Sequence, residues 1–251
     1  MKNTIILLIF WALSLNSIAA ITIVSDLDET IKITHSGSAV GATVNTLKKS
    51  KIFTGIPEFF QGTRSYVNKV YVLSASPRML RGKVSRALIK NGIQHDGIIL
   101  KKWTKFENRL QYKVRVIKEL MENSPDDFLL LGDDVGDDPE VFDQIKKIFP
   151  GRVVEAYIHV IKDRPVPANL VRHWTAHDLG IREYAAGRMA AESVEKIVQR
   201  MKNEKEVEFL FPHFAHCPQN KTVWSYQLDT VFSELVFELN NHLINYCRSK
   251  N

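Results

Sequence analysis

Ile21-Thr22-Ile23-Val24-Ser25-Asp26-Leu27-Asp28-Glu29-Thr30 is the stretch from which the rest of the chain is read. Its first four residues are β-branched, the composition of a short strand buried on both faces. The run then turns polar, and two carboxylates, Asp26 and Asp28, follow within four residues. In a parallel sheet, ligands sit at the carboxyl ends of the strands. A strand that delivers carboxylates there points to a site. Taken alone, the Asp-x-Asp-x-Thr string is a weak signal that also suits a turn or a helix cap.

Working outward, Lys69–Leu73, Asp96–Leu100, Phe128–Leu131 and Val153–Val160 read as further short strands. Leu80–Asn91, Tyr112–Asn123 and Pro139–Phe149 between them carry helical spacing, and Gly92 and Pro125 stop the first two. Strands alternating with helices predict an α/β fold, a Rossmann-like three-layer arrangement with a parallel sheet covered on both faces. Beyond about Arg172 the pattern changes, and Ile181–Lys202 and Gln227–Tyr246 read as two amphipathic helices. The expected organisation is a leader at 1–20, a catalytic domain at 21–175 and a helical extension at 176–251. With 45% hydrophobic and 25% charged residues, the composition is that of a folded globular chain.

Three more clusters follow or feed strand ends: Ser74-Ala75-Ser76-Pro77, Lys113 near the start of a helix, and Gly132-Asp133-Asp134-Val135-Gly136-Asp137-Asp138. Each is ambiguous by itself. Ser74 suits a strand-end cap, Lys113 a surface position, and the last run an acidic loop; a calcium loop lacks its required glutamate. All four clusters on one rim of one sheet is a different matter. Carboxylates gathered there repel one another unless a cation compensates, and oxygen ligands suit Mg²⁺. Asp26, Asp28, Asp133 and Asp138 are the candidate metal ligands, with Asp138 preferred to Asp137. Asp26 is the candidate nucleophile, Asp28 the acid and base, and Ser74 and Lys113 the holders of phosphoryl oxygens.

This set resembles the signature motifs of the haloacid-dehalogenase superfamily. Within it, the chain resembles the catalytic domain of actin-patch phosphatidate phosphatases. The likeness runs from about Ile21 to Ile161 and includes Phe53-Thr54-Gly55-Ile56-Pro57, Tyr71 to Pro77, Asp138-Pro139-Glu140, Phe149-Pro150-Gly151-Arg152 and Ala156-Tyr157-Ile158. The family pattern differs at Glu29, where a second Asp is usual, and at His159, where an Arg is usual. The resemblance implies a phosphatase with a minimal cap, since the intervals between motifs leave room only for core helices and a small flap. An open site suits a large phosphorylated substrate or a headgroup at a membrane, so phosphatidate is the expected partner. Small phosphomonoesters, nucleotides and phosphoproteins stay open as substrates, as does an inactive module that only binds an anion or a partner.

The net charge of +6 also favours anionic partners, although a nucleic-acid partner is not expected. Lys2, the apolar run Ile5–Leu13 and the small residues Ser17 and Ala19 form an export leader too short to span a bilayer of about 30 Å. A periplasmic or secreted location is therefore expected. In an exported chain Cys217 and Cys247, the two cysteines, can pair. A rival reading places them with His213 and His216 around a structural zinc; spacing alone leaves both open.

Overall fold

The computed structural model describes residues 20–34, 51–102, 107–218 and 233–250. Within them six strands form one sheet: β1 (Ile21–Ser25), β2 (Val67–Pro77), β3 (Gly97–Lys101), β4 (Asp127–Asp133), β5 (Val153–His159) and β6 (Val171–His173). The order is β3-β2-β1-β4-β5-β6, and every pairing is parallel. β1 is central, so the Ile21–Val24 run is buried on both sides, as its β-branched composition requires.

Helices α1 (Ile56–Gly62), α2 (Arg81–Lys90), α3 (Arg109–Glu122), α4 (Asp138–Ile148), α5 (Ala176–Ala185), α6 (Ala191–Lys202) and α7 (Ser233–Lys250) cover the sheet. The period-2 alternation of each strand divides its side chains between two cores. Val24, Leu73, Phe128 and Leu130 meet Tyr112, Val116 and Ile117 of α3 and Val141, Phe142 and Ile145 of α4. Ile23, Val72, Leu129 and Tyr157 face the opposite way, in a cluster that also takes in α1, α2 and α5 to α7. This is the expected three-layer α/β arrangement, with the C-terminal helices built into its back layer.

Three details differ from the sequence expectation. β6 is a short edge strand, and the segment expected as one helix at 181–202 is two. The chain turns between α5 and α6 at Gly187, whose φ of 70° a residue with a Cβ rarely adopts. α5 also starts earlier than expected, at Ala176, because Thr175 and Asp178 form a reciprocal capping box there.

Cys217 and Cys247 are joined in a disulfide, with their Cα atoms 5.6 Å apart. The zinc reading is thereby overturned, since neither sulfur is free to ligate. The two histidines are also engaged elsewhere, His213 with Glu208 and His216 with Asp163, each at 3.0 Å. The expected leader lies outside the described residues apart from Ala20. So do 35–50 and 103–106, in the intervals expected to hold a flap, and 227–232 of the last expected helix. No helix among the described residues is long and apolar enough to cross a membrane.

Candidate active site

Because all strands run parallel, the loops after β1, β2 and β4 open on the same rim. β1 sets the first residue of the site: the Asp26 N–H donates to the Leu131 carbonyl of β4 at 2.8 Å, fixing the backbone where the strand ends. α3 supplies the cation. Asn108 caps it, accepting from the Gln111 N–H at 2.8 Å while Gln111 reaches back to the Asn108 N–H. The helix start is therefore fixed, and Lys113 lies buried one turn in.

Lys113 Nζ is 2.7 Å from Asp26 Oδ1 and also contacts Asp138 Oδ1. The Asp138 Oδ2 accepts from the Asp133 N–H at 3.3 Å. Carboxylate oxygens of Asp26, Asp133 and Asp138 all lie within 4.8 Å of one another, and all three residues are buried. Asp138 reaches this position because Pro139 opens α4 and because residue 132 is glycine. A Cβ at Gly132 would stand 2.6 Å from the Asp138 side chain. Asp137 instead turns outward, 3.5 Å from Arg109 and 36% exposed. Of the two neighbours it is Asp138, the one preferred from the sequence, whose side chain turns toward Asp26 and Asp133.

The charges do not balance. Three carboxylates share one ammonium, and burial raises Asp26 well above the usual carboxylate range, with Asp138 and Asp133 adding to the rise and Lys113 opposing it. Asp133 is pushed up to about 7, by burial first and by Asp138 second. Burial alone would lower Lys113, but Asp138 and Asp26 hold its ammonium above the ordinary range. Asp133 is further fixed by the N–H groups of Val135 and Gly136, at 2.7 and 3.1 Å, and by the Thr30 hydroxyl at 3.2 Å.

Asp28 stands apart from this trio. Its Oδ2 accepts from Ser74 at 3.4 Å and from Ser76 at 3.3 Å, and the Ser76 N–H donates to Ser74 Oγ at 3.1 Å. Burial raises the Asp28 carboxyl from its usual range. The sequence-derived residues Asp26, Lys113, Asp133 and Asp138 therefore come together, while Asp28 and Ser74 form a second group on the same rim.

Sequence reasoning missed several supports. Ser76 could have been found from its place two residues after Ser74, the repeat that returns a strand to the same face. Glu29 adopts φ of 60°, a left-handed conformation that costs a non-glycine residue about 1–3 kcal/mol. It is held from both ends. Thr34 donates to Glu29 Oε1 through its N–H and hydroxyl at 3.2 and 2.6 Å, and His159 Nδ1 lies 2.6 Å from the Glu29 carbonyl oxygen. Asp134 has a scaffolding place, accepting from the N–H groups of Ile161 and Lys162 at 2.8 and 2.7 Å.

The family model described as "Phosphatidate phosphatase APP1, catalytic domain" matches residues 21–160, which hold every residue of this rim. No curated protein matches the chain. Among solved structures, the chain is similar to one titled "Structure of the Pnkp1/Rnl/Hen1 RNA repair complex", at 18% identity and a TM-score of 0.40 over 53% of this chain. It spans 41% of that protein's length, and 48% of a second chain from a Pnkp1/Rnl/Hen1 complex. A protein from Listeria monocytogenes serotype 4b is similar at 11% identity and a TM-score of 0.48, covering 67% of this chain and 99% of that one. A D,D-heptose 1,7-bisphosphate phosphatase from B. bronchiseptica, titled as complexed with magnesium and phosphate, is similar at 10% identity and a TM-score of 0.39, over 66% and 98%.

Proposed function

Because the chain belongs to the APP1-type phosphatidate phosphatase catalytic-domain family, a family of phosphatases, we propose that it is a Mg²⁺-dependent phosphomonoester hydrolase that works through an aspartyl-phosphate on Asp26. The observation that carries the reading is the buried, charge-unbalanced trio of Asp26, Asp133 and Asp138 around Lys113. Hard carboxylate oxygens held this close suit a small divalent cation with some of its waters kept. Asp26, Asp133 and Asp138 would hold it, and when bound it supplies neutralisation of the phosphoryl oxygens.

The chain's own residues perform the rest. Lys113 holds the Asp26 carboxylate in place and, with Ser74, stabilises charge on the transferring phosphoryl group. An Asp26 oxygen forms a bond to phosphorus as the bond to the leaving alcohol oxygen breaks. Asp28 gives its proton to that alcohol. A water then attacks the phosphorus of the aspartyl-phosphate, Asp28 takes a proton from it, and Asp26 is released with inorganic phosphate. Ser74 and Ser76 keep the Asp28 carboxyl aimed at the rim through both steps.

For the substrate, the family description and the net charge of +6 support a phosphatidate-like lipid monoester presented at an anionic surface. The leader-like first twenty residues and the Cys217–Cys247 disulfide support an exported protein in an oxidising compartment. Phosphate release by the purified chain, with Mg²⁺ or with EDTA, tests the reading on phosphatidate in mixed micelles, p-nitrophenyl phosphate, a nucleotide and a phosphopeptide. Release that needs the metal, is lost in Asp26→Asn and is fastest on phosphatidate is expected. No turnover of any compound by folded, Mg²⁺-binding protein would leave an anion-binding module in its place, and a preference for the nucleotide or the phosphopeptide would overturn the lipid assignment alone.

A further inference from the structure

On the face of the sheet covered by α3 and α4, described residues leave the β2–β3 end without a helix of its own. The space between that end and α3 is a groove of about 440 Å³, within the size range of ligand sites. Its lining is mixed: an apolar strip runs between charged and polar edges that include Lys69, Glu107, Glu119 and Asn123. Tyr71 and Ile99 project from adjacent strands, and Val116 and Leu120 come from successive turns of α3. Along α3 the lining runs from Tyr112 to Asn123, about 16 Å at the helical rise of 1.5 Å per residue.

Two observations relate the groove to the catalytic rim. Tyr112 lines it, and the next residue along α3 is Lys113, whose ammonium contacts Asp26. Leu100, also part of the lining, is in register with Ser74 across the β2–β3 pair. The groove therefore starts beside the phosphoryl site and leads away from it down the helix. At the near end the Tyr112 hydroxyl is buried with no hydrogen-bond partner, in a side chain only 3% exposed. An orphaned buried hydroxyl costs free energy unless a ligand satisfies it. Exposed Lys102 stands at the same end, while Arg115 is already committed to Glu107 and Glu119.

We propose that this groove receives an acyl chain of the lipid phosphomonoester whose phosphate sits on Asp26, with the Tyr112 hydroxyl donating to the ester carbonyl of that chain. The inference rests on the phosphatase reading above and adds the element that separates a lipid from a small phosphate ester. An apolar chain gains by leaving water along the walls of Tyr71, Ile99, Val116 and Leu120. The ester places one acceptor near the headgroup, where the one orphaned donor stands.

Three substrates isolate the groove: dioctanoyl phosphatidate as monomers, glycerol 3-phosphate, which has the headgroup without chains, and p-nitrophenyl phosphate. The purified chain should prefer dioctanoyl phosphatidate to glycerol 3-phosphate by at least about 30-fold in kcat/KM, one octanoyl chain's methylenes being more than enough. Leu120→Trp, which fills the groove, should cut that preference at least tenfold through KM and leave p-nitrophenyl phosphate within twofold. Tyr112→Phe keeps the packing and should raise KM for dioctanoyl phosphatidate about five- to tenfold, again sparing p-nitrophenyl phosphate. Thermal melting establishes that each variant is folded, and Tyr112→Phe carries the test if Leu120→Trp is not. Unchanged preference in the folded variants, or no preference in the unaltered chain, overturns the groove assignment and leaves the phosphatase reading standing. Calorimetric binding of dioctanoyl phosphatidate reads the groove independently of turnover. Binding sensitive to Tyr112→Phe in a chain that hydrolyses nothing would sustain the groove and sink the phosphatase reading instead.

Discussion

Among the described residues, two sites of buried negative charge, one around Glu183 and one on the rim, are built on opposite principles. On the back of the sheet, Glu183 of α5 is fully buried, yet each of its oxygens is satisfied. Tyr157 of β5 donates at 2.6 Å, Tyr66 at 3.0 Å, and Arg188 closes on both oxygens at 2.7 Å. One negative charge meets one positive charge and two hydroxyls. On the catalytic rim, three carboxylates meet one ammonium, and the surplus raises Asp26 and Asp133 out of their ordinary range. A buried charge without compensation is expensive. The balanced cluster ties α5 to the sheet; the unbalanced one keeps its cost in the folded state, which the proposed divalent cation would relieve on binding.

Breaking each cluster should therefore have opposite consequences. The largest effect is on turnover: Asp26→Asn removes the proposed nucleophile and should lower phosphate release by about four orders of magnitude or more. In the same variant, melting without Mg²⁺ should be unchanged or higher, because one of the repelling carboxylates is gone. A lower melting point would contradict the view that the rim is strained by its charge. Next in size, Arg188→Met leaves Glu183 buried and uncompensated, which should cost about 3–5 kcal/mol in urea unfolding, with kcat of the folded fraction unaltered.

The disulfide offers a third contrast, since it ties the C-terminal helix to the body without touching the rim. Cys217→Ser with Cys247→Ser should cost about 2–4 kcal/mol of stability and leave kcat within twofold. The smallest effect concerns pH. His173 is buried and stacked on His159, with ring centroids 5.0 Å apart, and burial pushes it well below the usual histidine range, helped by His159. Its folded-state value lies below the unfolded one, so its contribution is present above about pH 6.5 and is lost as acid protonates the unfolded chain preferentially. Stability should fall by about 1.4 kcal/mol per pH unit below that point. His173→Phe should flatten the acid limb of a urea-midpoint titration; an unchanged limb would assign it to the other histidines that burial lowers, His159 and His177, because the rim carboxylates, raised on folding, give the opposite slope.

The sheet was legible because buried parallel strands write themselves as short apolar runs, and Ile21–Val24 and Phe128–Leu131 are nearly pure examples. Asp26 and Asp133 were legible because carboxylates are unusual at the ends of buried strands, and Lys113 and Asp138 because they stand near the starts of helices beside those ends. What escaped was set by three-dimensional context. β6 spans three residues and has no room for a period. The disulfide depends on where α7 brings Cys247, which no spacing encodes. Asp138 and Asp137 are chemically identical neighbours, and only the close approach at Gly132 and the start of α4 decides which one turns inward. The groove beside α3 lies where no helix among the described residues covers the β2–β3 end of the sheet, and spacing in the sequence does not encode that gap.

The central position of β1 has a consequence for the order in which this molecule can assemble. Its partner β4 pairs Ile21 with Asp127 and Ser25 with Leu131, so the strand that leads into Asp26 gains its second neighbour only after more than a hundred residues have followed it. Contacts so far apart along the chain close slowly, because a long loop must be ordered before they repay it. Fragments that stop short of β4 are thus expected to remain unfolded, with an apolar strand exposed. The site is completed late: the pairing that seats Asp26 beside Asp133 is the same event that closes the middle of the sheet.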